Sequence, residues 1–220
     1  MSRPTAPARC ARKASSAAWV AGSMAERLKF VGFALMGLWV SMFIYPLVGN
    51  WVWGGGWLAN LGRSMGWGNG AVDFAGSGVV HMIGGAVGLA GAIAIGPRLG
   101  KFNKDGSANA IPGHNIPMGA LGVFVLWLGW YGFNPGSTLS ALDVQGIARV
   151  SFNTTMAACT GGLTALFYAY ARVQKWDLGL TTNGFLAGLV AITAPCYWVS
   201  PTGAFFIGMI LAETNVTTKI

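Results

Sequence analysis

The feature that most constrains the fold is a long uncharged stretch between an acid and a base. It reads DFAGSGVVHMIGGAVGLAGAIAIGPR and runs from Asp73 to Arg98 without another charged residue. A helix that crosses the hydrocarbon core of a bilayer needs about 20 such residues. One imidazole, His81, interrupts the apolar run. The stretch therefore predicts a membrane-spanning helix whose single histidine requires an explanation.

Composition extends this interpretation to the whole chain. Of its 220 residues, 54% are hydrophobic and 9% are charged, and the mean hydropathy is +0.54. Soluble domains carry about 25% charged residues. Glycine and tryptophan, both frequent in membrane helices, occur 34 and 10 times. The composition argues against a soluble domain and predicts an all-α, multi-pass integral membrane protein.

Five segments are long enough to cross the bilayer. The predicted spans are residues 30–52, 74–96, 116–135, 147–171 and 183–199. A sixth apolar segment begins at residue 203 and is too short to span before Glu213. The first residues, 1–21, form a basic leader rich in Ala and Ser that we expect to be disordered. We expect a membrane domain over 22–211 and a divergent polar tail over 212–220.

The net charge of +8 has two interpretations, a nucleic-acid partner or membrane topology. Basic residues cluster in the leader, in AERLK before the first span, and in the loops after the second and fourth spans. These last three sites fall on one side of the membrane. The positive-inside rule places that side in the cytoplasm. We therefore predict no nucleic-acid partner.

Two polar residues of the second span are candidate functional groups. His81 lies about two turns into the span, where ionisable side chains face a bundle interior or a cavity. A neutral imidazole has one donor and one acceptor for a small polar solute, although a structural bond to a neighbouring helix would also explain it. Asp73 can cap the helix, and its charge would favour a cation nearby. Pro97 should end the helix, and the Gly84–Gly88 spacing permits close helix packing.

Aromatic residues provide a second set of candidates at the ends of the first and third spans. The motif WVWGGGW places Trp53 beside three glycines, where its ring could hold a cation or could belong to an interfacial belt. The motif WYGFNPGS contains Phe133, which could close a narrow path, and Ser137, whose hydroxyl could accept a hydrogen bond from ammonium. For Trp53 both interpretations stay open.

Enzymatic motifs are absent from the sequence. It contains no GxSxG, HExxH or phosphate-binding loop, and the other histidine, His114, lies in a loop. A membrane enzyme that used His81 would lack a nucleophile and base pair. We therefore predict a protein that is not an enzyme and that has no cofactor and no metal site.

Several long motifs together resemble the ammonium transporter family (Amt, Mep and Rh proteins), and the Amt branch in particular. They are DFAGSGVVHMIGGAVGLAGAIAIGPRLGKF, GHNIPMGALGVFVLWLGWYGFNPGS, FNTTMAACTGGLTAL and NGFLAGLVAITAPC. The resemblance covers about residues 22–211. It implies an eleven-helix bundle with inverted halves, a homotrimer with one pore per subunit, and ammonium or ammonia as the transported solute in the cell membrane.

The resemblance also implies roles for individual residues. The implied roles are ammonium recruitment for Trp53, Ser137 and Asp73, a pore gate for Phe133, and pore lining for His81 and Trp130. A bare ammonium ion is costly to desolvate, so the family is described as passing ammonia between paired histidines and relaying the proton. On this view, His81 is the first histidine of the pair.

The sequence departs from the family at both ends. It matches the family's fourth to eighth helices and the start of the ninth, which implies a bundle that is truncated at both ends. The second pore histidine and the partner phenylalanine of the gate have no counterpart in these 220 residues. The alternative is therefore a non-conducting membrane module that binds ammonium or modulates full-length subunits.

Overall fold

The computed structural model describes residues 21–217, with side chains described through residue 214, and this part of the chain is helical. The helices are α1 (Phe30–Trp53), α2 (Leu61–Met65), α3 (Ser77–Ile95), α4 (Ile116–Phe133), α5 (Val144–Val173), α6 (Leu178–Ile192) and α7 (Pro201–Thr217). A short 3-10 turn, Pro135–Thr138, follows α4. Nearly all of the predicted leader and the last residues of the predicted tail lie outside the described residues.

Three helical segments of the described chain are long and apolar enough to cross a membrane. They are Phe30–Trp53, Ser77–Ile95 and Ile116–Thr138, with 24, 19 and 23 residues. At 1.5 Å per residue their lengths are about 36, 28 and 34 Å, which match a hydrocarbon core of about 30 Å. The other two predicted spans coincide with α5 and α6. Since α6 has 15 residues, or about 22 Å, the number of spans stays a prediction.

The ends of α3 follow the expected signals. The Asp73 carboxylate accepts hydrogen bonds from the backbone N–H groups of Gly76 and Ser77, at 2.8 and 3.1 Å, which confirms its capping role. The helix therefore starts at Ser77, three residues later than predicted. It ends at Ile95, because Gly96 takes a positive φ of 81° and Pro97 follows.

Two other helix ends differ from the predicted segments. Apolar residues continue to Val199, yet α6 ends at Ile192, because Pro195 lacks an N–H group and its ring would clash within a continuing helix. The same helix begins earlier than predicted, at Leu178, where the Asp177 side chain accepts a hydrogen bond from the backbone N–H of Leu180 at 2.8 Å. Helix α7 continues past Glu213 into the predicted polar tail.

The chain divides into two compact units. Of the described residues, 21–72 and 78–113 form the first unit. Here the glycine-rich face of α3 packs against the segment before α1. The Ser23 hydroxyl donates to the Gly88 carbonyl at 3.1 Å, and an added Cβ at Gly91 would overlap the side chain of Met24, which is 2% exposed. The small residues of α3 therefore permit close packing.

Of the described residues, 73–77 and 114–217 form the second unit. Its helices α5, α6 and α7 pack with their backbones almost touching. An added Cβ at Gly188 of α6, or at Gly208 of α7, would overlap the Ala157 carbonyl oxygen of α5. Around this contact lies a hydrophobic core of Val150, Ala157, Ile192, Cys196 and Ala204.

Candidate functional site

Three of the predicted site residues come together at the end of α4 in the second unit. The Trp130 side chain is buried, and its ring centroid lies 5.9 Å from that of Phe133. The Ser137 hydroxyl, also buried, donates to the Phe133 carbonyl at 2.7 Å. The 3-10 turn after α4 therefore holds the Ser137 hydroxyl one turn beyond Phe133, as the sequence spacing suggests.

The orientation of the Trp130 ring is fixed by a residue that the sequence analysis did not select. The Trp130 indole N–H donates to the Thr193 hydroxyl at 2.9 Å, and that hydroxyl donates to the Leu189 carbonyl at 2.7 Å. Thr193 is fully buried. A buried indole needs such an acceptor. A hydroxyl inside the apolar run AITAPC was the signal that could have revealed Thr193.

A second buried polar contact joins the end of α4 to α5. The Asn134 amide donates to the Thr154 hydroxyl at 3.1 Å, and both side chains are fully buried. Since Asn134 follows Phe133 directly, this bond restrains the backbone that carries the predicted gate residue. Buried side-chain hydrogen bonds of this kind give an apolar core a specific geometry.

Asp73 belongs to the short segment Asp73–Ser77, which is bonded to the end of α6. The Phe74 N–H donates to the Ala194 carbonyl at 2.9 Å. The Ser77 hydroxyl accepts from the Ala194 N–H at 2.7 Å and donates to the Val190 carbonyl at 2.5 Å. These bonds join the segment Asp73–Ser77 to the residues at the end of α6.

His81 is in the first unit and is 6% exposed. It is the fifth residue of α3, so it lies closer to the start of the helix than the predicted two turns. The helix is wound as a π-helix over Ser77–Met82, which includes His81. Such turns are rare and are found frequently at functional sites. No sequence signal predicted this winding.

Trp53 is the last residue of α1 and is half-buried. The glycines that follow make a tight turn, in which the Gly54 and Gly56 N–H groups both donate to the Asn50 carbonyl. Gly55 has a φ of 78°, which a residue with a side chain rarely adopts. Trp51 and Trp57 contact each other across this turn, with ring centroids 5.7 Å apart.

The chemistry of these side chains is that of hydroxyls, indoles, one imidazole and one carboxylate on an apolar helical scaffold. Within residues 21–217, no group of three or more His, Cys, Asp or Glu side chains is placed to hold a metal ion. The fold and these residues define a helical, integral membrane protein. Among its candidate site residues, only His81 and Asp73 have side chains that can carry a charge.

Comparison with known proteins identifies the family. A sequence model of the Ammonium Transporter Family matches residues 9–218, and the chain belongs to this family. Ammonium transporter Amt2 of Archaeoglobus fulgidus is 50% identical over 199 residues, which cover 90% of this chain and 42% of that protein. The chain thus spans less than half the length of this curated relative.

Solved structures agree with the family assignment. The structure titled Sensor Amt Protein superposes with a TM-score of 0.87 at 40% identity, covering 94% of this chain and 51% of that one. Mep2 of Candida albicans superposes with a TM-score of 0.78 at 30% identity, covering 95% of this chain and 46% of that one. The expected ammonium-transporter-like helical fold is confirmed.

Proposed function

We propose that this chain takes part in moving ammonium or ammonia across a membrane. The observation that carries the proposal is His81, a buried imidazole in a π-helical turn of an apolar helix long enough to span a bilayer. Family membership supports the choice of solute. Because the chain covers under half of Amt2, the transport activity of a whole family member is itself part of the proposal.

Recruitment of ammonium is assigned to Trp53, Ser137 and Asp73. An indole face attracts a cation by about 1 to 2 kcal/mol once water is partly excluded. The proton of the Ser137 hydroxyl is directed at the Phe133 carbonyl, and a hydroxyl oxygen has lone pairs that can accept from ammonium. One oxygen of Asp73 caps α3, so we assign this residue the role of a nearby negative charge and not of a direct ligand.

Passage of the solute is assigned to Phe133 as a gate and to Trp130 and His81 as lining residues. Moving a bare ammonium ion through an apolar path would cost many kcal/mol, whereas neutral ammonia crosses such a path more cheaply. A neutral imidazole can donate to or accept from ammonia without adding a buried charge. The Thr193 bond, which fixes the Trp130 ring, keeps one wall of that path rigid.

Uptake of labelled methylammonium tests the proposal. The 220-residue chain would be expressed in cells that lack their own ammonium transporters, with its membrane insertion verified. We expect saturable uptake that ammonium competes for. Trp53→Leu should raise the half-saturating concentration several-fold, whereas Trp57→Leu, which changes an exposed indole of the same turn, should leave it unchanged. Absence of uptake by well-inserted protein would contradict transport by this chain.

A second candidate function is ammonium binding without conduction, as a sensing module or as a modulator of full-length subunits. The observation that favours it is the similarity to a solved protein titled a sensor Amt protein. Calorimetric binding of methylammonium to the purified chain separates the two functions. Binding that is weakened by Trp53→Leu and is accompanied by no uptake would support the sensor or modulator function.

A further inference from the structure

The first unit contains a basic cleft whose residues have no part in the proposed transport path. The cleft has a volume of about 340 Å³ and is lined by Arg27, Pro97, Arg98, Lys101 and Ile111. Small-ligand sites commonly have volumes of 300 to 1,000 Å³. Arg27 precedes the start of α1 at Phe30, and Pro97 follows the end of α3 at Ile95. The cleft is thus formed where two membrane-length helices of this unit end.

The charges of this cleft are incompletely balanced. Arg27 donates to the carbonyls of Gly96 and Ser23, and Lys101 donates to the Asn109 carbonyl at 3.0 Å. These partners are neutral carbonyls, so they do not balance the charge of either side chain. Arg98 forms an ion pair with Glu26, with 3.5 Å between the guanidinium Nε and a carboxylate oxygen. Three cations and one carboxylate leave a net charge of +2.

Apolar side chains of the loop that follows α3 are exposed to the surroundings. Leu99 is fully exposed, Phe102 is 54% exposed, and Ile111, which lines the cleft, is 42% exposed. A free inorganic anion has no apolar surface that these side chains could contact. A lipid has both an anionic phosphate for the cations and apolar chains for these side chains.

We propose that this cleft binds the phosphate group of an anionic phospholipid headgroup. Arg98 and Lys101 contact the phosphate, Arg27 holds the cleft in shape through its bonds to two carbonyls, and the exposed leucine and phenylalanine contact the lipid's apolar part. The choice of lipid over free phosphate rests on the position of the cleft at two helix ends and on these exposed side chains. The proposal is independent of whether the chain transports ammonium.

Native mass spectrometry of the purified chain, titrated with dioctanoyl phosphatidylglycerol in detergent, tests this site. We expect one lipid to bind more tightly than the rest and more tightly than dioctanoyl phosphatidylcholine. The variant R98Q/K101Q should weaken this binding by about tenfold, since each Lys or Arg near an anionic headgroup adds electrostatic attraction to the affinity. The control K104Q/K175Q removes the same charge from exposed loop residues outside the cleft and should leave the binding within twofold.

The same titration contains the results that would overturn the proposal. Equal binding by R98Q/K101Q and the unaltered chain would show that the cleft does not hold the lipid. If K104Q/K175Q weakened lipid binding as much as R98Q/K101Q does, the loss of affinity would follow from the overall charge of the chain and not from the cleft. Displacement of the lipid by millimolar inorganic phosphate would assign the cleft to a free anion. Arg27 is left unchanged in these variants because its bonds to two carbonyls support the fold.

Discussion

The helix contacts inside the first unit differ in kind from those inside the second unit. In the second unit, glycines of α6 and α7 bring their backbones against the Ala157 carbonyl of α5, so the contact is one of backbone atoms. In the first unit, α3 packs against the flexible side chain of Met24 and is joined to the preceding segment by bonds from Ser23 and Arg27. The contact of α5 with α6 and α7 therefore has little room to adjust, whereas the contact of α3 with Met24 can yield locally.

This difference predicts where in the chain a substitution will destabilise the protein most. Helices in lipid gain little from burying apolar surface against each other, so close packing and hydrogen bonds supply much of their association. In the second unit Trp130 and Phe133 pack against Ala158 of α5 and Leu189 of α6. The substitutions below compare the helix contacts of the two units, in order of decreasing effect.

The largest expected effect is that of Gly188→Val. Its side chain would overlap the Ala157 carbonyl oxygen, and a backbone atom yields only if α5 and α6 separate. We expect a loss of about 3 kcal/mol or more in stability, at the upper end for overpacked cores. The measurement is the thermal midpoint in detergent, followed by light scattering. Gly122→Ala in α4 is the control, because an added Cβ there has nothing within 4 Å. Equal midpoints for Gly188→Val and the control would refute close backbone packing.

A medium effect is expected for Thr193→Val, which removes the acceptor of the buried Trp130 indole. Leaving a buried donor without its partner costs about 1 to 3 kcal/mol. Denaturant unfolding of the purified chain should show this loss, and Thr193→Ser, which keeps the hydroxyl, should recover most of it. If serine recovers nothing, the methyl group and not the hydrogen bond is what matters at this position.

A smaller effect is expected for Asp73→Ala, which removes the cap of α3. Loss of a capping side chain costs about 1 kcal/mol. Asp73→Asn retains an oxygen that can accept from the Gly76 and Ser77 N–H groups, so its stability should stay within a few tenths of a kcal/mol of the parent. The same unfolding assay compares the two variants. Equal losses for alanine and asparagine would mean that the carboxylate charge, and not the cap, stabilises this segment.

The smallest effect is expected for Gly91→Ala in the first unit. The added methyl would meet the end of the Met24 side chain, which can move aside, and alanine also favours the helix. We expect a change in stability below about 1 kcal/mol, measured by the same thermal assay. A loss as large as that of Gly188→Val would remove the distinction between the two units.

Much of the helical framework could be predicted from the sequence, because long apolar runs, a capping acid and a glycine-proline stop act locally. Asp73 and Pro97 bound α3 for these reasons. The end of α6 at Ile192 could not be placed by hydropathy, since the residues up to Val199 remain apolar. There the lost helical bonds are replaced by contacts with the distant segment around Ser77.

The candidate site could be predicted as a set of residues but not as a geometry. His81 and Trp130 stand out by type within apolar helices. The π-helical turn around His81 and the bond between Trp130 and Thr193 depend on tertiary packing, which residue spacing does not encode. The functional roles of these residues stay predictions.

The most direct test of the account is methylammonium uptake by the His81→Ala variant beside the unaltered chain, with equal membrane insertion of both. We expect saturable uptake by the unaltered chain and none by the variant. We also expect the variant to keep the methylammonium binding that depends on Trp53. Full uptake by His81→Ala would contradict the assignment of His81 to the transport path.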